Sequence, residues 1–172
     1  MTRTELAEVI RSRARLQGEF RLRSGLLATE YFDKYRFEGD PIVLRAIADG
    51  LASLIPESIE LLAGLELGGV PLATALSLRT GLQAVFVRKQ AKEYGTCRLA
   101  EGGDIAGRRL LVVEDVITTG GQVVTSCEQL RLLGAIVDHA VCVIDRESGG
   151  RERLRSAGVD LHALFAKRDL QT

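Results

Sequence analysis

Tryptophan is absent from this 172-residue chain, methionine occurs once, and the three cysteines are an odd number. Cys97, Cys127 and Cys142 form no Cys-x-x-Cys pair and have no metal-ligand spacing, so neither a disulfide framework nor a zinc site is indicated. Cys127 and Cys142 stand in apolar contexts and read as buried small hydrophobes. Cys97 sits among basic residues with no histidine near it in sequence, which argues against nucleophilic catalysis. Net charge is also lacking, since 23 Lys and Arg balance 23 Asp and Glu. No global basic field would attract nucleic acid or an anionic membrane. No apolar run approaches the roughly 20 residues of a membrane span. The N-terminus threads Arg3, Glu5, Glu8, Arg11, Arg13 and Arg15 through its apolar positions, where a signal peptide needs an uninterrupted core. The expectation is one cytosolic domain over residues 1–172, binding neither nucleic acid nor membrane.

What is present alternates. Thr2 and Glu5 have capping-box spacing ahead of Leu6, Val9, Ile10 and Leu16, which predicts a first helix to about Gln17. Phe20, Tyr31, Phe32, Tyr35 and Phe37, with Leu22 between them, put most of the aromatic content into one short hood over about 18–38. Asp40 before Pro41 marks a helix start running to near Leu54. Strands are expected near Ser58–Ala63, Gln83–Arg88, Leu110–Glu114, Ile136–Ile144 and Asp160–Phe165, with helices at Val70–Thr80, Gly121–Leu133 and roughly Gly150–Ala157. Strand and helix in turn predict an α/β domain, a mainly parallel sheet with helices on both faces and ligands at the carboxyl ends of its strands. His139 and His162 alternate with apolar neighbours and read as structural.

The most informative stretch is Leu110–Gln122. Leu110 to Val113 form a short apolar run suited to a strand buried on both faces. At its end, Glu114 and Asp115 can grip a vicinal diol. Thr118, Thr119, Gly120 and Gly121 then offer hydroxyls and open backbone N–H groups at a helix start, which suits a phosphate monoester. No Gly-x-x-x-x-Gly-Lys-[Ser/Thr] occurs, which excludes a Walker loop. Two more segments sit at expected strand ends. Gly64–Pro71 has glycines that allow a ligand close to the backbone. About 89–109 is a twenty-residue stretch without convincing periodicity, read as a mobile lid. Within and beside it, Arg88, Lys89, Lys92, Arg98, Arg108 and Arg109 suggest a local anion site.

The acid pair with its Thr/Gly turn resembles the signature of the type I phosphoribosyltransferases. The order and spacing of Phe20-Arg21-Leu22-Arg23-Ser24-Gly25, Tyr31-Phe32-Asp33, Val87–Gly95, Glu114-Asp115 and Asp145–Gly150 resemble, over nearly the whole chain, the orotate phosphoribosyltransferases. The resemblance implies the type I phosphoribosyltransferase fold with a small N-terminal hood, and magnesium-dependent formation of orotidine 5'-monophosphate and pyrophosphate from orotate and phosphoribosyl pyrophosphate, in pyrimidine nucleotide synthesis. It implies that Glu114 and Asp115 hold the ribose hydroxyls, and that Thr118, Thr119, Gly120, Gly121 and Gln122 hold the 5'-phosphate. Leu67, Gly68 and Gly69 would hold pyrophosphate, often beside a non-proline cis peptide. Arg146, Arg23, Tyr31 and Phe32 would surround orotate. Arg88, Lys89 and Lys92 would neutralise the leaving pyrophosphate from a lid shared across a homodimer. Magnesium would arrive on phosphoribosyl pyrophosphate, with no direct protein ligand.

Three positions depart from the family. Tyr94 replaces a common lid histidine, which leaves Lys92 to assist departure; Gly68 replaces a common lysine; the acid pair is Glu-Asp where others have Asp-Asp. A transferase for purine or another base, or a non-catalytic regulator that senses phosphoribosyl pyrophosphate, are the alternatives.

Overall fold

In a computed structural model, which describes residues 1–21, 25, 27–91 and 98–170, the Thr2 hydroxyl accepts from Glu5 N and the Glu5 carboxylate accepts from Thr2 N. This capping box starts α1 (Arg3–Ala14). The helix buries Leu6, Ile10 and Ala14 and ends before Gln17, because Arg15 already pairs with Phe32. That pairing belongs to an antiparallel hairpin of β1 (Arg15–Arg21) and β2 (Leu27–Phe32), followed by the single turn α2 (Tyr35–Glu38). Together these form the hood. Asp40 caps α3 (Pro41–Ala52) by accepting from Ile42 N and Val43 N at 2.9 and 3.0 Å, and Pro41 occupies the first turn, where no N–H is needed.

From there strands and helices alternate. In chain order they are β3 (Leu61–Leu65), α4 (Gly69–Thr80), β4 (Gln83–Val87), β5 (Ala100–Glu101), β6 (Arg109–Ile117), α5 (Gly121–Leu132), β7 (Ile136–Asp145), α6 (Gly150–Ser156) and β8 (Asp160–Ala166), closed by a 3₁₀ turn over Lys167–Leu170. The sheet order is β5-β4-β3-β6-β7-β8, parallel throughout except for β5 at the edge. Alternate side chains of the central strands enter different cores. Leu61, Ala63, Leu110, Val112, Ala140 and Cys142 pack with Val123, Cys127, Leu130 and Leu154 of α5 and α6. Leu62, Leu111, Val113, Val141 and Val143 pack with α1, α3 and α4. Burial on both faces is why these strands read as continuous apolar runs. His139 and His162 are cross-strand neighbours whose ring nitrogens lie 3.4 Å apart.

The expectation of an uninterrupted loop over about 89–109 is corrected in its carboxyl half. Ala100 and Glu101 pair antiparallel with Val87 and Phe86, and Leu99, Ala100 and Ile105 are buried. Arg108 and Arg109 are not part of a local anion site either. They lie at the amino end of β6, where Arg108 donates to Glu60 and Arg109 to Asp138, both at 2.9 Å.

Candidate active site

The Glu66–Gly69, Glu114–Gln122 and Arg146 segments sit at the carboxyl ends of parallel strands β3, β6 and β7. After β3 the chain turns through Glu66–Gly68 with a cis Glu66–Leu67 peptide. Glu66 N donates to Val87 O at 2.9 Å, which ties the turn to β4. Close packing dictates the glycines: a Cβ on Gly69 would lie 2.1 Å from Val113 O, and one on Gly68 would lie 1.6 Å from Asp115 Oδ2. A side chain at position 68 would need the space that the Asp115 carboxylate occupies. Beside the turn lies a cavity of about 450 Å³ lined by Leu67, Phe86, Arg88 and Glu101 among others. Arg88 N donates to Leu99 O at 2.9 Å, and Lys89 is exposed.

The acid pair follows the continuously buried run Leu110–Val113 of β6. Glu114 is partly exposed and accepts from Asp115 N at 2.9 Å. Asp115 is wholly enclosed; its Oδ1 accepts from Val116 N at 2.5 Å and its Oδ2 pairs with the Lys34 ammonium. Burial, then the charge of Asp115, pushes the Glu114 carboxyl up to about 9. Burial and the same neighbour push Glu38, from α2, up to about 8. Three carboxyl groups thus gather around a single ammonium, and burial raises the pKa of two of them, Glu114 and Glu38.

Thr118 and Thr119 are exposed in the turn that follows, and Gly120 adopts φ 72, a left-handed conformation that glycine takes without penalty. No side chain caps α5, and an uncapped first turn is the kind of backbone to which an anion can bind. Gln122 lies exposed on that turn. A Cβ on Gly150 would meet Thr118 O at 2.4 Å, so the start of α6 seats the turn from below.

Arg146 extends from the end of β7, its N–H donating to Ile117 O at 2.9 Å. Buried Asp145 accepts from Glu147 N and from Arg151 Nε at 2.9 and 3.1 Å, which fixes the turn that carries Arg146. The Arg146 guanidinium lies 5.8 Å from the Phe32 ring centroid. Both line a cavity of about 410 Å³ with Tyr31, Ile144, Leu170, Arg11, Arg15 and Lys167. It has aromatic faces and a cationic wall, the features that a flat anionic heterocycle needs. Tyr31 stacks at 5.5 Å on Phe20 across the hairpin.

The phosphoribosyl transferase domain family matches residues 38–158. A curated orotate phosphoribosyltransferase of Nocardioides is 53% identical over 96% of this chain and 92% of its own. This chain belongs to the orotate phosphoribosyltransferase family. Among solved structures, Mycobacterium tuberculosis orotate phosphoribosyltransferase with Fe(III) dicitrate superposes with a TM-score of 0.89 at 33% identity, covering 99% of both chains. The same enzyme in complex with 5-phospho-alpha-D-ribosyl 1-diphosphate gives 0.85 at 29% identity, again over 99% of each. The expected α/β fold, a mostly parallel six-stranded sheet in this family, is the one observed.

Of the residues singled out in sequence, the structure gathers Glu114, Asp115, Thr118, Thr119, Gly120, Gly121, Gln122, Leu67, Gly68 and Gly69 around the ends of β3 and β6. Tyr31, Phe32 and Arg146 share the aromatic cavity, and Arg88 lines the other. Arg23 and Lys92, with Tyr94 and Cys97, fall outside the described residues. Sequence reasoning missed Lys34, Glu38, Asp145 and Arg151, and the cations Arg11, Arg15 and Lys167. Only Asp145, next to Arg146 at a strand end, carried a local signal. No helix of the described residues is long and apolar enough to cross a membrane.

Proposed function

We propose that this chain transfers the 5-phosphoribosyl group of phosphoribosyl pyrophosphate to N1 of orotate, giving orotidine 5'-monophosphate and pyrophosphate for pyrimidine nucleotide synthesis. The observation that carries the reading is the junction of two surfaces. The Arg146 N to Ile117 O bond ties the proposed ribose-phosphate cradle, Glu114–Gln122, to the residue that shares a cavity with Phe32. Thr118–Gly121 and the start of α5 would seat the 5'-phosphate, and the acid pair the ribose hydroxyls. Phe32 and Tyr31 would cover the pyrimidine while Arg146, and Arg23 from the hood, contact its oxygens.

The C1–N1 bond forms as the C1–O bond to pyrophosphate breaks. The electron pair leaves with pyrophosphate, and the N1 proton of orotate is lost. The ribosyl carbon passes through an oxocarbenium-like state, so positioning and cations near the leaving group supply most of the rate. Leu67, Gly68 and Gly69 would approach the pyrophosphate through their backbone, with Arg88, Lys89 and Lys92 neutralising it and Lys92 assisting departure. Magnesium would be carried on the substrate's own phosphate and pyrophosphate oxygens, with no protein side chain as direct ligand. When bound, the ion screens charge on the departing group.

In this reading the chain works as a homodimer in the cytosol, where buried free thiols such as Cys127 and Cys142 persist. Its lid reaches the neighbouring subunit's site. The deciding assay is ultraviolet loss of orotate with phosphoribosyl pyrophosphate and magnesium, run beside adenine, hypoxanthine and uracil. Turnover of orotate alone is expected; preference for a purine, or no turnover of any base, would overturn the proposal.

A further inference from the structure

Lys34 lies on the hood turn, which is pinned on both sides: Asp33 N donates to Ala14 O at 2.7 Å, and Asp33 Oδ1 accepts from Tyr35 N at 3.1 Å. From there the ammonium reaches Asp115 Oδ2 and sits 5.4 Å from the Tyr35 ring centroid. Burial alone would lower the Lys34 pKa, but Asp115 outweighs it and the pKa is raised, so the group is a cation at neutral pH. The contact is an ion pair rather than a well-directed hydrogen bond, which leaves Oδ2 with acceptor capacity. Asp115 is enclosed from three directions, by its own strand, by Gly68 of the pyrophosphate turn and by Lys34 of the hood. The other charged or titratable groups around it are Glu38, whose two carboxyl oxygens have no hydrogen-bond partner, then Glu114 and, on the hood turn, Asp33 and Tyr35.

An enclosed carboxylate without a counter-charge takes up a proton or shifts toward water. With two further carboxyls alongside, the Lys34 ammonium supplies the opposite charge that holds the Asp115 carboxylate against Gly68. We propose that Lys34 is a positioning residue of the ribose-phosphate site, holding Asp115 beneath the Leu67–Gly69 turn so that the acid pair and the pyrophosphate turn meet the substrate in one fixed geometry. This rests on reading the site as one for phosphoribosyl pyrophosphate. Through it the hood, which covers the base, is coupled to the segment that takes the leaving group.

The test compares wild type, Lys34→Met and Lys34→Arg, with KM for each substrate, kcat, and calorimetric binding of phosphoribosyl pyrophosphate with magnesium. Lys34→Met should raise the phosphoribosyl pyrophosphate KM and Kd roughly tenfold or more, the scale of one lost buried counter-charge, with orotate KM changed less than about threefold. Lys34→Arg keeps the charge and should restore most of the affinity, and it gives a reading even if Lys34→Met fails to fold. Unchanged phosphoribosyl pyrophosphate affinity in Lys34→Met would overturn the role. So would equal losses for both substrates that follow a fallen Tm, or an Arg variant no better than Met. Wild-type protein that binds phosphoribosyl pyrophosphate but turns over no orotate would instead sink the functional reading and leave this one standing.

Discussion

Glu38 puts a pH signature on stability. It is 5% exposed, its carboxyl oxygens are unpartnered, and burial beside Asp115 pushes its pKa from 4.5 to about 8. A folded state that holds a proton the unfolded chain releases is favoured while both are protonated. The advantage is complete below pH 4.5 and declines as pH rises through about 8, because unfolding then releases a proton. Urea denaturation should therefore give falling stability across that window. Glu38→Gln, which keeps a neutral side chain of the same shape, should match wild type at pH 5 and exceed it at pH 8. Glu114, shifted in the same direction, leaves part of the slope behind. An identical pH slope in Glu38→Gln would place the proton elsewhere.

The phosphate turn and α6 are interlocked, and one methyl group tests it. Gly150→Ala would press a Cβ against Thr118 O and against Ile117 Cγ2, at 2.4 and 2.7 Å. Overpacking of this kind costs about 1–3 kcal/mol, to be read from denaturant midpoints, and it should weaken orotidine 5'-monophosphate binding in calorimetry by lifting the turn that carries Thr118. Stability within error of wild type would mean that α6 slides freely. At this scale the sequence was most readable. Thr2 with Glu5, Asp40 with Pro41, and the Leu110–Asp115 run each announce an element through a local rule of capping or burial, and each forms where that rule puts it. Legibility failed where the cause was distant. Leu16 fits the helical stripe of α1, but pairing with Tyr31 draws it into a strand. Ala100 and Glu101 are too short to show alternation and become a strand only because β4 offers a free edge. Lys34 carried no local signal, since Asp115, its partner, is remote in the chain. Arg108 and Arg109 were grouped with the lid cations by proximity in sequence, while β6 carries them to the opposite end of the sheet.

For the assembled molecule, the shared-lid proposal makes a prediction that a self-contained subunit could not meet. Lys92→Ala and Arg146→Ala should each be inactive alone. If Lys92 acts on the partner's site, a mixed dimer pairs one site lacking both groups with one lacking neither, so activity should return toward about half of wild type per heterodimer. Mixtures with verified subunit exchange that stay inactive would confine the lid to its own subunit. The β4–β5 ladder bears on how such a lid can change over time. Val87 pairs with Ala100, and Arg88 N donates to Leu99 O, so the segment between them leaves and re-enters the domain through adjacent hydrogen-bonded positions. Its stems are clamped whatever lies between. Doubling the length of such a closed segment adds only about 0.6 kcal/mol of closure entropy. Insertions, deletions or a wholesale exchange with a relative's segment can therefore alter reach and charge while the catalytic sheet keeps its register, making this a module on which turnover and partner contact can evolve apart from stability.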